Sequence, residues 1–329
     1  MWRAFHLHYH DDQDRLLAAL RPRWCQWLIQ GRAERLFFVR YWLGGPHLRI
    51  RGEWSGDADA SLFVQELREW AGTYFALFPS TASWSAERIA RVDAELRSSD
   101  PSAVAVPASP DECILECAYH PEEARYGGPS AMALSHELFG LSSLVALHRA
   151  RLDPAQRPGR LENLALVLRL LLAASTEIED LAALCRYPPE SARRIHRKLI
   201  EQASALFDRQ PRLFESALAD AEGGHASPTD SPEDRLAQGL ARLGHYLPGE
   251  ERRRIVSSHV HMTMNRLGLD NREELLLLHW ASRLVDLVEP VRVGERSSGP
   301  LAETQLLAEL KRLTRKTLWA VATSSPESA

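Results

Sequence analysis

His47, Arg49 and Arg51 alternate with Leu48 and Ile50 in the chain. In a strand, successive side chains point to opposite faces, so the first three share one face and the two aliphatics the other. A guanidinium tolerates removal from water when an anion meets its planar donor edge, which makes this row a candidate pocket for carboxylates or phosphates. An edge strand with a solvated basic face would carry the same letters. A second group is Tyr119-His120-Pro121-Glu122-Glu123-Ala124-Arg125-Tyr126-Gly127-Gly128, a turn-rich run that can hold Arg125 beside accessible backbone. Pairing of Arg125 with Glu122 or Glu123 accounts for it equally well. The third group lies in Ser258-His259-Val260-His261-Met262-Thr263-Met264-Asn265-Arg266. Helical spacing sets His261 and Asn265 one turn apart on one face, a way to hold an imidazole in one tautomer for proton transfer. A purely structural histidine is the competing reading.

His6, His8 and His10 also alternate, and as a strand they would share a face. No carboxylate or cysteine completes a familiar ligand spacing, so no metal is expected. No phosphate-binding loop, dinucleotide glycine fingerprint, zincin motif or serine-hydrolase elbow is present, and no cofactor is expected.

These groups need elements to position them. Alternation predicts a strand over 2–9 and a hairpin over 36–51, with Gly44-Gly45-Pro46 supplying its loop. In the first arm, Phe37, Val39 and Tyr41 face one way and Phe38, Arg40 and Trp42 the other. Helices are predicted over 12–28 and 59–75, a loop over 98–110, and a further strand over 113–119. Beyond Pro129 the period becomes helical, over 130–149, 161–175, 191–207, 233–246, 250–267, 272–288 and 302–319. Residues 221–232, rich in Gly, Ser, Asp and Pro, read as a linker able to move. The expected fold is α+β: an N-terminal antiparallel sheet with a hairpin, packed with a largely helical C-terminal part. We expect one catalytic domain over 1–329, with its α+β part at about 1–128 and its helical part at about 129–320.

Composition narrows the function. A net charge of −4 and an isoelectric point near 6.4 disfavour general nucleic-acid binding, which needs a basic excess. Cys25, Cys113, Cys117 and Cys185 form no CxxC pair, so reduced thiols are expected. The start lacks signal-peptide features, and the apolar stretch 164–174 is too short to span a bilayer, so the expected location is cytoplasmic.

Taken together, Phe-Phe-Val-Arg-Tyr followed by Pro-His-Leu-Arg-Ile-Arg, Glu122 with Arg125-Tyr-Gly-Gly, and His261-Met with Asn265-Arg266-Leu match a known pattern in order and separation. The chain resembles the C-terminal, glutamate-eliminating domain of class I lantibiotic dehydratases and its standalone relatives in thiopeptide-type biosynthesis. In that family, Ser or Thr of a precursor peptide is glutamylated from glutamyl-tRNA by a separate domain or protein, and the eliminating partner removes glutamate. The product is dehydroalanine or dehydrobutyrine. The resemblance implies that Arg49 and Arg51 grip the glutamyl adduct or the developing enolate, that Arg125 assists, and that His261 transfers protons. It implies substrate contacts from His47, Arg40, Tyr126, Asn265 and Arg266, and convergence of the three groups on one cavity. The implied partners are the precursor peptide, leader and core, and a glutamylating dehydratase; direct nucleic-acid binding is not implied, and homodimerisation stays open.

Two other readings accompany the resemblance. A related branch performs a formal [4+2] cycloaddition of two dehydroalanines, building the pyridine of thiopeptides and expelling the leader. A standalone member can also serve as a non-catalytic subunit that holds the precursor peptide. The chain departs from the family at Trp42-Leu43-Gly44-Gly45, where an acidic turn is more usual, and at Met264, where a polar residue is common.

Overall fold

A computed structural model describes residues 1–82, 84–99, 108–175, 178–185, 196–226, 230–247, 249–287 and 302–324. The architecture is α+β, with a small antiparallel sheet at the N-terminus and helices after it. By its internal contacts the chain divides into two compact units. The first holds Met1–Pro121, Ala150–Ala155 and Ser324; the second holds Glu122–Arg149 and Gln156–Thr323. The first boundary thus falls just before the Arg-Tyr-Gly-Gly turn, whereas the sequence suggested a change of character at about 128.

In the first unit β1 (Trp2–His8), β2 (Arg35–Tyr41), β3 (His47–Glu53) and β4 (Cys113–Cys117) form one sheet in the order β2-β3-β1-β4, antiparallel throughout. α1 (Gln13–Ile29) starts at Asp12, whose side chain accepts from the amides of Asp14 and Arg15 and so satisfies two donors that a helix start leaves unpaired. Together α1 and α2 (Asp57–Leu77) supply Trp24, Trp27 and Phe63, which pack against Phe5, Phe38 and Trp54 with every ring fully buried. Each such side chain contributes about 1.5–3 kcal/mol. α3 (Ala86–Ser99) occupies what was expected to be loop at 98 and 99, and its buried Asp93 accepts from the Gly44 amide, fixing the hairpin loop. Residues 100–107 of that loop lie outside the described residues.

The second unit comprises α4 (Gly128–Arg149), α5 (Arg160–Ala174), α6 (Ile178–Cys185), α7 (Arg197–Arg209), α8 (Pro211–Ala226), α9 (Pro232–Tyr246), α10 (Gly249–Arg266), α11 (Asn271–Leu287) and α12 (Glu303–Thr323). α4 is long and apolar enough to cross a membrane, yet its side chains are buried almost throughout, with α9, α10 and α12 packed on it. That all-round burial is the mark of a core helix. The expected linker at 221–232 is helical as far as Ala226, since Ala217, Leu218 and Ala221 give α8 a buried face that outweighs its glycines. Residues 227–229 lie outside the described residues. α9 then begins with a Ser231/Asp234 capping box and Pro232 in its first turn, a strong start signal.

Candidate active site

The sheet face away from α1 and α2 gathers ionisable groups from three strands. His8 pairs with His47, His6 with Arg49 and Ala4 with Arg51, while Tyr41 of β2 stands opposite His47. Arg49 lies over Tyr41, its Cζ 3.3 Å from the ring centroid, and its Nε donates to His47 Nε2 at 3.3 Å. His47 donates from Nδ1 to the Gly45 carbonyl at 2.7 Å. An imidazole that gives at Nδ1 and receives at Nε2 is neutral, with its tautomer set from both sides. His6 and His8 both pack against His47, with ring centroids 4.7 and 4.5 Å away.

Burial is the main cause that lowers the pKa of His47 to about 2, of His6 to about 3 and of His8 to about 4; the charge of Arg49 adds to the effect on each. These imidazoles are therefore uncharged at neutral pH. Burial also brings Arg49 down to about 10, which leaves it cationic.

The ring nitrogens of His6, His8 and His47 lie within 4.8 Å of one another, and neutral imidazoles of this kind suit zinc or copper. The adjoining Arg49 cation works against an ion there. His47 takes the place that His10 held in the sequence reading. His10 falls past the end of β1, with its Nδ1 3.6 Å from Asp111.

Arginines on the sheet differ in what faces them. Arg3 donates to Glu116 at 2.7 Å, Arg35 is paired with Glu53, and Arg40 with Asp14. Arg51 instead lies over Tyr119 at 5.1 Å, as Arg49 does over Tyr41. Neither Arg49 nor Arg51 has a carboxylate partner among the described residues. Ring faces under a guanidinium occupy its π surface and leave its N–H edges available to an anion. Arg40, expected among the substrate contacts, is placed elsewhere. Its register opposite Leu48 turns it to the apolar face, where it is buried and held by Asp14 of α1.

In the second unit the Glu122–Gly128 turn docks on α10. Arg125 donates from Nε to Ser258 Oγ at 3.0 Å and from Nη1 to Glu122 at 3.2 Å, and Ser258 donates to the hydroxyl of buried Tyr126 at 3.0 Å. Arg254 reaches the Arg125 carbonyl from one turn earlier. Gly127 is needed for this approach: its φ is +83°, and a Cβ there would sit 2.7 Å from Glu251 Oε1 and 3.0 Å from Ile255 Cδ1.

Arg254, Ser258, His261 and Asn265 recur at spacings of four, three and four, so they form one stripe of α10. Arg125 is thereby anchored one turn from His261. His261 Nδ1 is 2.7 Å from Oε2 of Glu274 on α11. Arg266 points inward, with its Cζ 5.0 Å from the Phe139 ring centroid and Nη1 donating to the Met262 carbonyl at 3.0 Å. His259, fully enclosed by Tyr126 and Phe139 and 3.1 Å from Ser135 Oγ, is lowered to about 3, chiefly by burial. It is a core histidine.

Residues 2–285 match the family described as lantibiotic biosynthesis dehydratase, C-terminal part. The chain belongs to that family. Membership places it in the biosynthesis of ribosomally made, post-translationally modified peptides. Two solved structures, TbtD and TsrL, share its fold. The pyridine synthase TbtD from thiomuracin biosynthesis superposes with a TM-score of 0.71 at 20% identity, over 87% of this chain and 98% of TbtD. TsrL gives 0.50 at 13% identity, over 96% and 98%. The tRNA-dependent lantibiotic dehydratase MibB from Microbispora sp. 107891 gives 0.45 at 19% identity, over 85% of this chain and 28% of MibB. No curated protein matches the chain.

Three features, two in the first unit and one in the second, were not seen in the sequence. Tyr41 as the platform of Arg49 follows from the Tyr41–His47 register, which the five-residue loop 42–46 sets and which loop length gave a chance to foresee. His6 and His8 join His47 only because β1 inserts beside β3. Glu274 carries no signal of its own, since acidic residues in a first helical turn are commonplace.

Proposed function

We propose that this protein is a peptide-modifying lyase that eliminates glutamate from O-glutamylated Ser or Thr of a precursor peptide, leaving dehydroalanine or dehydrobutyrine. The observation that carries the reading is the pair Arg49 and Arg51, set on aromatic rings with no carboxylate partner among the described residues, where neighbouring arginines each have one. Such cations call for an anion from outside the chain, and the reaction has two: the glutamyl carboxylate and the enolate that develops as the Cα proton departs. Keeping His6, His8 and His47 neutral spares those arginines like-charge repulsion. Arg125, held by Ser258 and Glu122, supports a second anionic group, and His261 handles the proton. The substrate is the modified peptide, and a glutamylating dehydratase supplies it.

The second reading is the [4+2] cycloaddition that forms a pyridine and expels the leader. Its support is the fold shared with TbtD over 98% of that enzyme's length. That reaction joins uncharged alkenes and needs orientation more than cations, so the arginine pair favours elimination.

Mass spectrometry of a synthetic peptide carrying O-glutamyl serine, incubated with the protein and with Arg49→Ala and His261→Ala variants, tests the reading. Loss of free glutamate from the peptide with wild type, and its suppression in both variants, is expected. Persistence of the adduct with wild type would sink it. Release of leader with loss of water from an already dehydrated peptide would establish cycloaddition instead, and tight binding without conversion would leave a peptide-holding subunit.

A further inference from the structure

We propose that Glu274 is the positioning residue of His261 and commits that histidine to act as a base at Nε2. The role as a base rests on the elimination reading; the positioning does not. Glu274 lies in the first turn of α11, just past the turn that ends α10, and this connection brings it beside His261. Its Oε2 is 2.7 Å from His261 Nδ1, and its side chain is 8% exposed. Its other oxygen, Oε1, is buried without a hydrogen-bond partner among the described residues. The imidazole is thus the group this carboxylate is placed to serve. A carboxylate oxygen only accepts, so Nδ1 carries the hydrogen, and in the neutral ring the lone pair then sits on Nε2. His261 itself is part-exposed, so Nε2 is within reach of a substrate.

The chemistry follows from that tautomer. Nε2 takes the Cα proton of the glutamylated residue, and the C–H electron pair becomes the Cα–Cβ double bond. The Cβ–O bond breaks and its pair leaves on the glutamate carboxylate. The imidazolium, stabilised by Glu274, then returns its proton to water. Without Glu274 a neutral His261 is free to place its hydrogen on Nε2, where it cannot accept a proton.

The test uses the full-length protein labelled with 15N-histidine. Ring nitrogen shifts of His261, assigned with His261→Ala, report which nitrogen is protonated. The expected wild-type state is Nδ1–H; in Glu274→Ala the Nε2–H form should gain, and kcat on the O-glutamyl peptide should fall on the order of 100-fold with KM unchanged. Glu274→Gln, close to isosteric, guards against misfolding. Its carbonyl can keep the Nδ1–H form, while loss of the charge should still lower kcat. An unchanged tautomer in Glu274→Ala overturns the positioning role whatever the reaction. A changed tautomer with undiminished kcat overturns the role as base. If wild type leaves the O-glutamyl peptide intact, the elimination reading and the base role fail together, and the nitrogen shifts still decide the positioning.

Discussion

Arg49 and Tyr41 form a stacked pair across the β2–β3 hairpin, 3.3 Å from Cζ to ring centroid, and His47 braces the same guanidinium from the side. A cation over an aromatic face contributes about 0.5–2 kcal/mol. Tyr41→Ala should therefore lower kcat/KM for an O-glutamyl peptide by roughly 2- to 30-fold, whereas Tyr41→Phe, which keeps the ring but loses the hydroxyl's hydrogen bond to Arg49, should lose less. Arg49→Lys should lose more than Tyr41→Ala, because an ammonium cannot stack and present a planar fork together. Steady-state kinetics of the three variants checks the order; equal rates for Tyr41→Ala and wild type would refute it.

Gly127 and Gly128 both have positive φ, but only Gly127 meets α10 closely. Gly128→Ala should cost about 1–2 kcal/mol for the left-handed backbone alone. Gly127→Ala should cost roughly 2–4 kcal/mol, since Glu251 and Ile255 must also give way. Urea denaturation of both variants measures the difference, and equal losses would contradict the close docking of the turn.

Arg40 joins β2 to α1 through Asp14 on the side of the sheet opposite Arg49. Arg40→Met should lower stability by about 3 kcal/mol, because it removes the guanidinium that pairs with the part-buried Asp14 carboxylate. Turnover of the folded variant should remain within about 2-fold of wild type, as expected of a change that leaves the ligand groups in place. A stable but inactive Arg40→Met would return Arg40 to the substrate contacts.

Alternation found β1, β2 and β3, and the 3.6-residue period found most helices, because each buries one regular face. It missed α3, α6 and α8: α3 buries little beyond Ile89 and Asp93, α6 is short and α8 carries glycines. Burial on one face also made the split between Leu48 and Arg49 readable, since a strand has no third side. Arg40 was misplaced for a different reason. Its partner Asp14 lies in another element, and a lone arginine in an apolar run looks alike whether it meets a ligand or a carboxylate. Glu274 and the His6–His8–His47 cluster depend on tertiary contacts that spacing does not encode.

Acid should destabilise the protein through its neutral histidines. Folded-state values near 4 for His8, 2 for His47 and 3 for His259 lie below the ordinary 6.5. As pH falls through about 6.5, the unfolded chain takes up these protons before the folded one, so stability is intact above that value and declines below it. The slope is about 1.4 kcal/mol per pH unit for each fully buried group. The urea midpoint should therefore be lower near pH 5 than at neutral pH. A flat profile would show that these imidazoles charge freely.

The path of the chain between the two units has a practical corollary. The chain crosses their boundary after Pro121, returns for Ala150–Ala155 and comes back at Ser324, whose carbonyl receives Arg21 at 3.3 Å. Synthesis from the N-terminus therefore makes the four strands long before the last piece of their own unit exists. No single cut yields both units whole, so the sheet cannot be exchanged between relatives as a simple N-terminal cassette. A chimera that preserves it must carry three separate stretches of sequence.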